Sequence, residues 1–437
     1  MSVIFIGVLV GLATLMFLAI GVPVAFTLII VALLFLMIFE GFGVFTILAE
    51  VFFSGLAEFT LLSIPMFVVM GGAVAASPAG KDLYEALDRW LNRVPGGLII
   101  SNIGACSIFA ALSGSSPATC AAIGKMGIPE MQKRGYPDSL ATGAIAAGGT
   151  LGILIPPSIT MIVYGVATET SIGRLFIAGI LPGLLLTTLF MSWSLYFGWK
   201  NGQKFLGSSS VSWKQRIEVL PRVIPFLLII AGVLWALYGG VATPSEAAGV
   251  GALMCLLLVA VIYRMWHPRH IWNIISGSMR ESVMILMIIG ASALFSYMLS
   301  SLYVTQTIAQ TIAEAGMNKW VLLFTINIFL LVAGFFLPPV AIILMTAPIL
   351  LPIIINAGFD PYWFAVVLTI NMEIGLITPP VGLNLYVING IVPDVSLQDI
   401  LKGALPFVAC MVIAIIILCI FPSIATWLPT VLMGNAI

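Results

Sequence analysis

Gly152-Ile153-Leu154-Ile155-Pro156-Pro157 and Gly375-Leu376-Ile377-Thr378-Pro379-Pro380 are one phrase written twice, 223 residues apart. Both lie mid-span in long apolar runs, at 138–168 and 361–390. Proline has no backbone N–H and clashes with the preceding turn, so each pair breaks its helix and frees carbonyl oxygens. Inside a membrane such groups must be satisfied within the protein or by an ion. The match extends outward from the proline pairs. Pro129 and Pro352 share the same offset, and Gly135-Tyr136-Pro137-Asp138 parallels Gly358-Phe359-Asp360-Pro361. Pro182 and Pro406 are 224 apart, and Pro117 and Pro339 are 222 apart. Glycine and proline are common in membrane helices, so one match means little, but an ordered series at a nearly constant offset marks an internal repeat.

The solvent for this repeat is lipid. Of 437 residues, 61% are hydrophobic and 8% are charged, and the mean hydropathy is +1.19. So few charges cannot cover a water-soluble surface. A nucleic-acid binder is excluded because 17 basic residues are balanced by 17 acidic ones, and disorder is excluded by the hydrophobicity. At about 20 apolar residues per crossing, there is room for roughly a dozen spans. The first apolar run, 3–20, has no basic residue ahead of it and reads as a retained helix rather than a signal peptide. The five cysteines form no CxxC pair, and neither a disulfide nor a metal site is expected from them.

Candidate spans fall at 3–20, 23–39, 60–77, 138–168, 171–198, 218–238, 244–263, 282–300, 361–390 and 399–424. The run 45–59 carries Glu50 and Glu58 and spans or lies in the interface; 81–93 and 303–316 read as short amphipathic helices. Two stretches, 97–132 and 319–354, are broken in the middle. The first breaks at Ser113-Gly114-Ser115-Ser116-Pro117 and the second at Gly334-Phe335-Phe336-Leu337-Pro338-Pro339. They are expected to be helical hairpins that enter and leave on one side. The expected fold is therefore all-α integral membrane, an inverted repeat with two hairpins and two broken helices. Its units are 1–59 (scaffold), 60–198 (first repeat), 199–281 (connector and scaffold) and 282–437 (second repeat and last helix).

Charge sets the expected sides. Thirteen of the 17 basic residues fall in 78–96, in Lys133-Arg134, in 199–222 and in 264–281. Placing these four regions in the cytoplasm puts both termini outside. The first hairpin exits into Lys133-Arg134, while the second exits into Asn356-Ala357-Gly358-Phe359-Asp360, with no base. Equivalent loops thus favour opposite sides, and the repeats are inverted. Inverted repeats with paired Gly/Pro-broken segments are the mark of secondary transporters, which bind substrate at the midplane.

The breaks carry the chemistry. Freed carbonyls suit a hard cation such as sodium, and Gly152 and Gly375 let backbone approach it closely. Ser113, Ser115, Ser116 and Thr119 add hydroxyl oxygens at the first break, and Thr150 and Thr378 lie near the broken helices. Half-helix N-termini suit an anionic substrate. The bland alternative for a single proline pair is a kink; two pairs, each about 40 residues after a broken hairpin, favour function. Glu373, two residues before Gly375, is an intramembrane carboxylate that either bonds neighbouring backbone, tunes the second ion site or carries a proton. Thr243-Pro244-Ser245-Glu246 reads as a helix cap. His267 and His270 sit in an expected basic loop and do not suggest metal.

At these residues the chain resembles the large membrane subunit of tripartite ATP-independent periplasmic (TRAP) transporters, DctM type, related to inverted-repeat elevator sodium/anion transporters. The resemblance covers nearly the whole chain. It rests on Gly21-Val22-Pro23, Ile64-Pro65-Met66-Phe67, the Ser113–Thr119 tip, Leu151–Ser158, Ala242–Ala248 and Gly375–Pro380. It implies a sodium-coupled importer of the elevator type in a bacterial inner membrane. A small four-helix membrane subunit and a periplasmic substrate-binding protein are the implied partners, with membrane lipids around them and no ATPase. The substrate is expected to be a small organic acid anion, best guessed as a C4-dicarboxylate. The resemblance maps a first sodium site onto Ser113, Ser115, Gly152, Ile155 and Pro157, the last three through their carbonyls. It maps a second onto Gly375, Thr378, Pro380 and the second hairpin tip. Ser116, Thr119, Thr150 and Pro339 are the substrate-binding candidates. The runner-up is an autonomous sodium/dicarboxylate symporter of the same architecture. An intramembrane enzyme would need a nucleophile–base or metal constellation, and the residues supply neither.

Overall fold

The computed structural model describes residues 2–91, 93–200, 211–314 and 316–434. Among them every regular element is a helix. The chain opens with α1 (Val3–Ala19), α2 (Val24–Phe39), α3 (Phe45–Leu56), α4 (Ser63–Ala75) and the arm helix α5 (Ala79–Leu91). The first hairpin is α6 (Gly97–Ser113) and α7 (Ser116–Lys133). The first broken helix is α8 (Asp138–Leu154) and α9 (Ile159–Ala167), and α10 (Ile172–Lys200) follows. Then come α11 (Trp213–Tyr238), α12 (Pro244–Ile262), α13 (Pro268–Ser301) and α14 (Val304–Glu314). The second hairpin is α15 (Lys319–Gly334) and α16 (Pro339–Asn356), and the second broken helix is α17 (Pro361–Leu376) and α18 (Leu383–Ile391). The chain closes with α19 (Leu397–Ile420) and α20 (Ser423–Met433).

The two hairpins and two broken helices appear where the prolines and glycines put them. Pro117 and Pro339 both sit in the first turn of a second hairpin arm, where a missing N–H costs nothing. Thr243 and Glu246 form a reciprocal cap on α12. Asp360 caps α17 by accepting from the Tyr362 and Trp363 N–H groups at 2.8 and 2.9 Å.

Three expectations change. α13 starts at Pro268, not near 282, because His267 caps it by accepting from the Arg269 N–H. The segment 264–281 is thus mostly helix, and His270 lies in its first turn. α20 is a helix that the apolar pattern did not mark. Among the described residues, six helices are long and apolar enough to cross a membrane, or up to eight if each bent pair counts as one. That is fewer than a dozen because α1 and α2 have only 17 and 16 residues and, α16 apart, the hairpin arms and half-helices fall short in length or apolarity. The run 45–59 forms α3, which at 12 residues is too short to span alone.

Contacts establish the inversion. The Tyr164 hydroxyl, in α9, donates to the Pro361 carbonyl at 3.1 Å, so the second broken helix begins where the first one ends. Asn384, in α18, in turn donates to the Ala146 carbonyl of α8, so the later half of the second broken helix lies beside the earlier half of the first. The two broken helices therefore run antiparallel. The second arm of each hairpin also packs against the later half-helix of the opposite repeat, α7 on α18 and α16 on α9. Small residues set the closest crossing: a Cβ on Gly403 of α19 would stand 1.7 Å from the Ser139 carbonyl oxygen of α8.

The basic segments converge on α5. Arg134 makes a two-pronged pair with Asp88, and Arg222 and the Tyr263 hydroxyl both reach Asp82. The Arg216 guanidinium bonds the Arg89 carbonyl and lies over Trp213. Lys204, also assigned to the connector, lies outside the described residues.

Candidate functional site

Each hairpin tip is set against the helix break of its own repeat. At the first, α6 ends at Ser113, and Gly114 turns the chain with φ +58°. A Cβ on Gly114 would stand 3.0 Å from the Pro157 carbonyl oxygen, and one on Gly152 would stand 2.6 Å from the Ser115 carbonyl oxygen. Only glycine permits that second approach. The Thr119 hydroxyl donates to the Ser115 carbonyl at 2.8 Å and lies 2.8 Å from the Ser113 hydroxyl. The Ser113 hydroxyl is also 3.3 Å from the Ser115 carbonyl. Ser113, Ser115, Thr119, Gly152 and Pro157 are thus brought together. The result is a small group of neutral oxygens, hydroxyl and carbonyl, with no basic side chain among them. Such a group fits sodium, a hard cation that takes unwound carbonyls and helix C-terminal ends, here those of α6 and α8.

Two further residues of this region, Thr150 and Ser116, make their hydrogen bonds away from this group. The Ile155 N–H closes on the Leu151 carbonyl at 2.9 Å, and its side chain packs toward Gly183 of α10. The Thr150 hydroxyl is turned back onto the Ala147 carbonyl of its own helix at 2.5 Å. Ser116 is buried and faces the second repeat: its hydroxyl donates to Glu373 Oε2 at 3.2 Å and accepts from Asn384 Nδ2 at 2.8 Å.

The second break repeats the geometry with backbone alone. A Cβ on Gly375 would stand 2.6 Å from the Gly334 carbonyl oxygen, and the Val381 N–H donates to the Phe335 carbonyl at 3.2 Å. The Thr378 hydroxyl is bonded to the Ile374 carbonyl, and Gly382 turns the chain with φ +59°. Pro339 is buried at the start of α16. Both proline pairs are joined by cis peptide bonds. The two breaks differ in exposure. Pro156 and Pro157 are buried, whereas Pro379 and Pro380 are exposed and Phe336 on the second tip is 60% exposed.

A cleft of about 770 Å³ opens beside the first tip. Ser113 and Ser115 form its inner wall; Lys125, Asn273, Ser278 and Glu281 line its flanks. The apolar and Gly/Pro pattern of the sequence did not single out Lys125 as part of a cleft. It missed Asn273, Ser278 and Glu281, which belong to the unexpected early turns of α13, and it missed Asn384.

An inverted pair of hairpin tips, each closing on a helix break within an all-helical apolar fold, defines the core of a multi-pass membrane transporter. The sequence profile of the tripartite ATP-independent periplasmic transporter, DctM component, matches residues 10–424. The chain belongs to this family: it is a TRAP transporter large permease. It is 38% identical, over 87% of its length and 89% of the relative's, to a C4-dicarboxylate TRAP transporter large permease protein of Pseudomonas aeruginosa. A protein of the same description from Vibrio cholerae is 35% identical over 96% of each chain. A sialic acid TRAP transporter large permease protein of Vibrio cholerae is 31% identical, over 95% of this chain and 96% of the relative's. In fold the chain is similar to the crystal structure of the Alcanivorax borkumensis YdaH transporter, with a TM-score of 0.66 at 14% identity, covering 95% of this chain and 98% of that one.

Proposed function

We propose that this large permease imports a small organic acid anion, driven by sodium, through an elevator movement of the hairpins and broken helices against the scaffold. The oxygen group at Ser113, Ser115, Thr119 and Gly152 carries this reading, because its neutral oxygens suit a monovalent cation. Helix ends divide the work. The carbonyl ends of α6 and α8 face the cation, and the N-termini of α7 and α9, one turn away, favour the substrate carboxylate. The 770 Å³ cleft beside them, with Lys125 on its flank, is the passage toward the cytoplasm. The basic segments gathered at α5 support that orientation, in which both termini lie in the periplasm. A C4-dicarboxylate is the favoured substrate, supported by the two more similar relatives described above.

The family generally works with a small membrane subunit and a periplasmic binding protein, and this reading gives the chain the same kinds of partner in a bacterial inner membrane. Reconstitution in proteoliposomes tests this. Uptake of a C4-dicarboxylate should require an inward sodium gradient, the small subunit and a loaded binding protein. Uptake by this chain without partners would instead identify an autonomous symporter, and a sialic acid or sulfonate preference would replace the dicarboxylate assignment.

A further inference from the structure

We propose that a cavity lined by Arg174 and Lys319 binds the phosphodiester headgroup of one anionic phospholipid, at the membrane face opposite α5. The cavity, of about 640 Å³, is walled by the first turns of α10, α15, α17 and α20 and by the end of α19. Four helix starts and one helix end meet there, where the apolar spans stop, and that is headgroup depth. α10 then runs 29 residues, about 43 Å, to a far end where Gly198 packs on Gly96, close to α5. The cavity and the basic cluster on α5 therefore lie at opposite faces.

Outside the four basic segments only four basic residues remain in the sequence: Lys125, Arg174, Lys319 and Lys402. Two of them, 145 residues apart, line one cavity. The charge asymmetry of membrane proteins works against such a pair at this face, so its convergence points to a ligand. Arg174 Nη2 donates to the Met433 carbonyl at 2.9 Å, which fixes the guanidinium at the wall. The Lys319 ammonium group lies 5.5 and 5.6 Å from the ring centres of Trp320 and Phe359, and it forms no ion pair among the described residues. Among the described residues Asp360 is the one carboxylate on the wall, and its Oδ1 is engaged by the Tyr362 and Trp363 N–H groups. Two cations against one carboxylate leave one positive charge, the complement of one phosphodiester. The Thr426 and Thr430 hydroxyls donate to carbonyls of their own segment, so their oxygens remain acceptors for a hydroxylated headgroup such as glycerol.

A soluble substrate anion fits this place less well. Lys319 opens α15, and the second hairpin tip lies at the other end of that 16-residue helix, about 24 Å away. The cavity is thus at the base of the hairpin and away from both helix breaks. Its rim is apolar: Trp320, Ile420 and Phe421 are exposed, and Phe324 continues that surface one turn along α15. Acyl chains can lie on this surface while the phosphate sits between the two cations, as in other basic pockets between spanning helices.

The test is a lipid-binding measurement, independent of transport. The full chain is purified with its small subunit, stripped of lipid in detergent and titrated with phosphatidylglycerol or phosphatidylcholine, and bound lipids are counted by native mass spectrometry. Lys319→Gln should weaken the tightest phosphatidylglycerol site about fivefold, the worth of one basic side chain at a membrane surface. Lys319→Arg should retain that site, and phosphatidylcholine binding should be the same in all three proteins. Equal phosphatidylglycerol affinity in wild type and Lys319→Gln overturns the proposal, as does an equal loss of both lipids. Inorganic phosphate is titrated in parallel by calorimetry. Phosphate binding that is lost in Lys319→Gln while phosphatidylglycerol binding is unchanged assigns the cavity to a soluble anion and overturns the lipid. Arg174→Gln serves as the second variant should Lys319→Gln fail to fold, with the same fivefold weakening expected and unaltered phosphatidylglycerol affinity again overturning the site.

Discussion

The Ser115 carbonyl oxygen lies so close over Gly152 that a Cβ there would stand 2.6 Å from it, and Gly334 stands over Gly375 at the same 2.6 Å. One hairpin tip and one helix break are in backbone contact in each repeat, and no side chain fits between them. The tip's position is therefore coupled to the state of the break.

Gly152→Val is expected to force the first tip off its break. Sodium-dependent uptake should fall at least tenfold, equivalent to about 1.4 kcal/mol, while the amount of protein in the membrane holds. Uptake and immunoblotting in the same cells check this.

Thr119→Val keeps the shape and deletes the hydroxyl that bonds the Ser115 carbonyl and meets Ser113. The sodium concentration for half-maximal uptake should rise about tenfold, or about 1.4 kcal/mol. Ser115→Ala should do less, because the oxygen that Ser115 brings to the group is its carbonyl, which alanine retains. Sodium titrations of the two variants, compared side by side, decide the order.

At the second break the close contact is backbone to backbone, and a probe must act there. Gly375→Val does, by driving a branched side chain into the Gly334 carbonyl. Transport should be abolished in a protein that still purifies with its small subunit.

Arg134 closes the base of the first hairpin onto α5 through its two bonds to Asp88, at 3.1 and 2.8 Å, and one to Glu130 at 3.1 Å. Removing it in Arg134→Ala should cost about 2 kcal/mol, the scale of hydrogen bonds to charged groups in a half-buried setting. A melting temperature lowered by a few degrees, with sodium affinity unchanged, is the expected reading.

Much of this architecture was legible because paired prolines, and prolines beside glycine-containing turns, mark breaks, whereas single prolines such as Pro129, Pro182 and Pro406 sit inside continuous helices. Pro156-Pro157, Pro379-Pro380, Pro117 and Pro339 placed both hairpins and both broken helices from spacing alone. The early turns of α13 were not legible, because Arg269, His270, Arg280 and Glu281 interrupt the apolar run, although a polar helix end is as helical as an apolar one. α20 was hidden behind Pro422, and Pro429 sits within it.

At the site, sequence grouped Ser113, Ser115, Ser116 and Thr119 as neighbours on one tip. The structure divides them: Ser116 lies one residue past the turn and faces the other repeat. Asn384 went unnoticed because its partners, Ser116 and Ala146, are 268 and 238 residues away. Asn384, one of two amides in the run Leu383–Ile391, was the available signal, and its meaning depends on tertiary contact.

On the proposed mechanism the Ser113–Thr119 tip and the Gly152–Pro157 break together hold the coupling sodium. The most direct test is sodium titration of substrate uptake by the reconstituted complex, comparing wild type with Thr119→Val. The account predicts saturable sodium dependence in wild type and a curve displaced about tenfold to higher sodium in the variant, or about 1.4 kcal/mol. Uptake that proceeds equally without sodium, or a variant curve that overlays wild type, would contradict it.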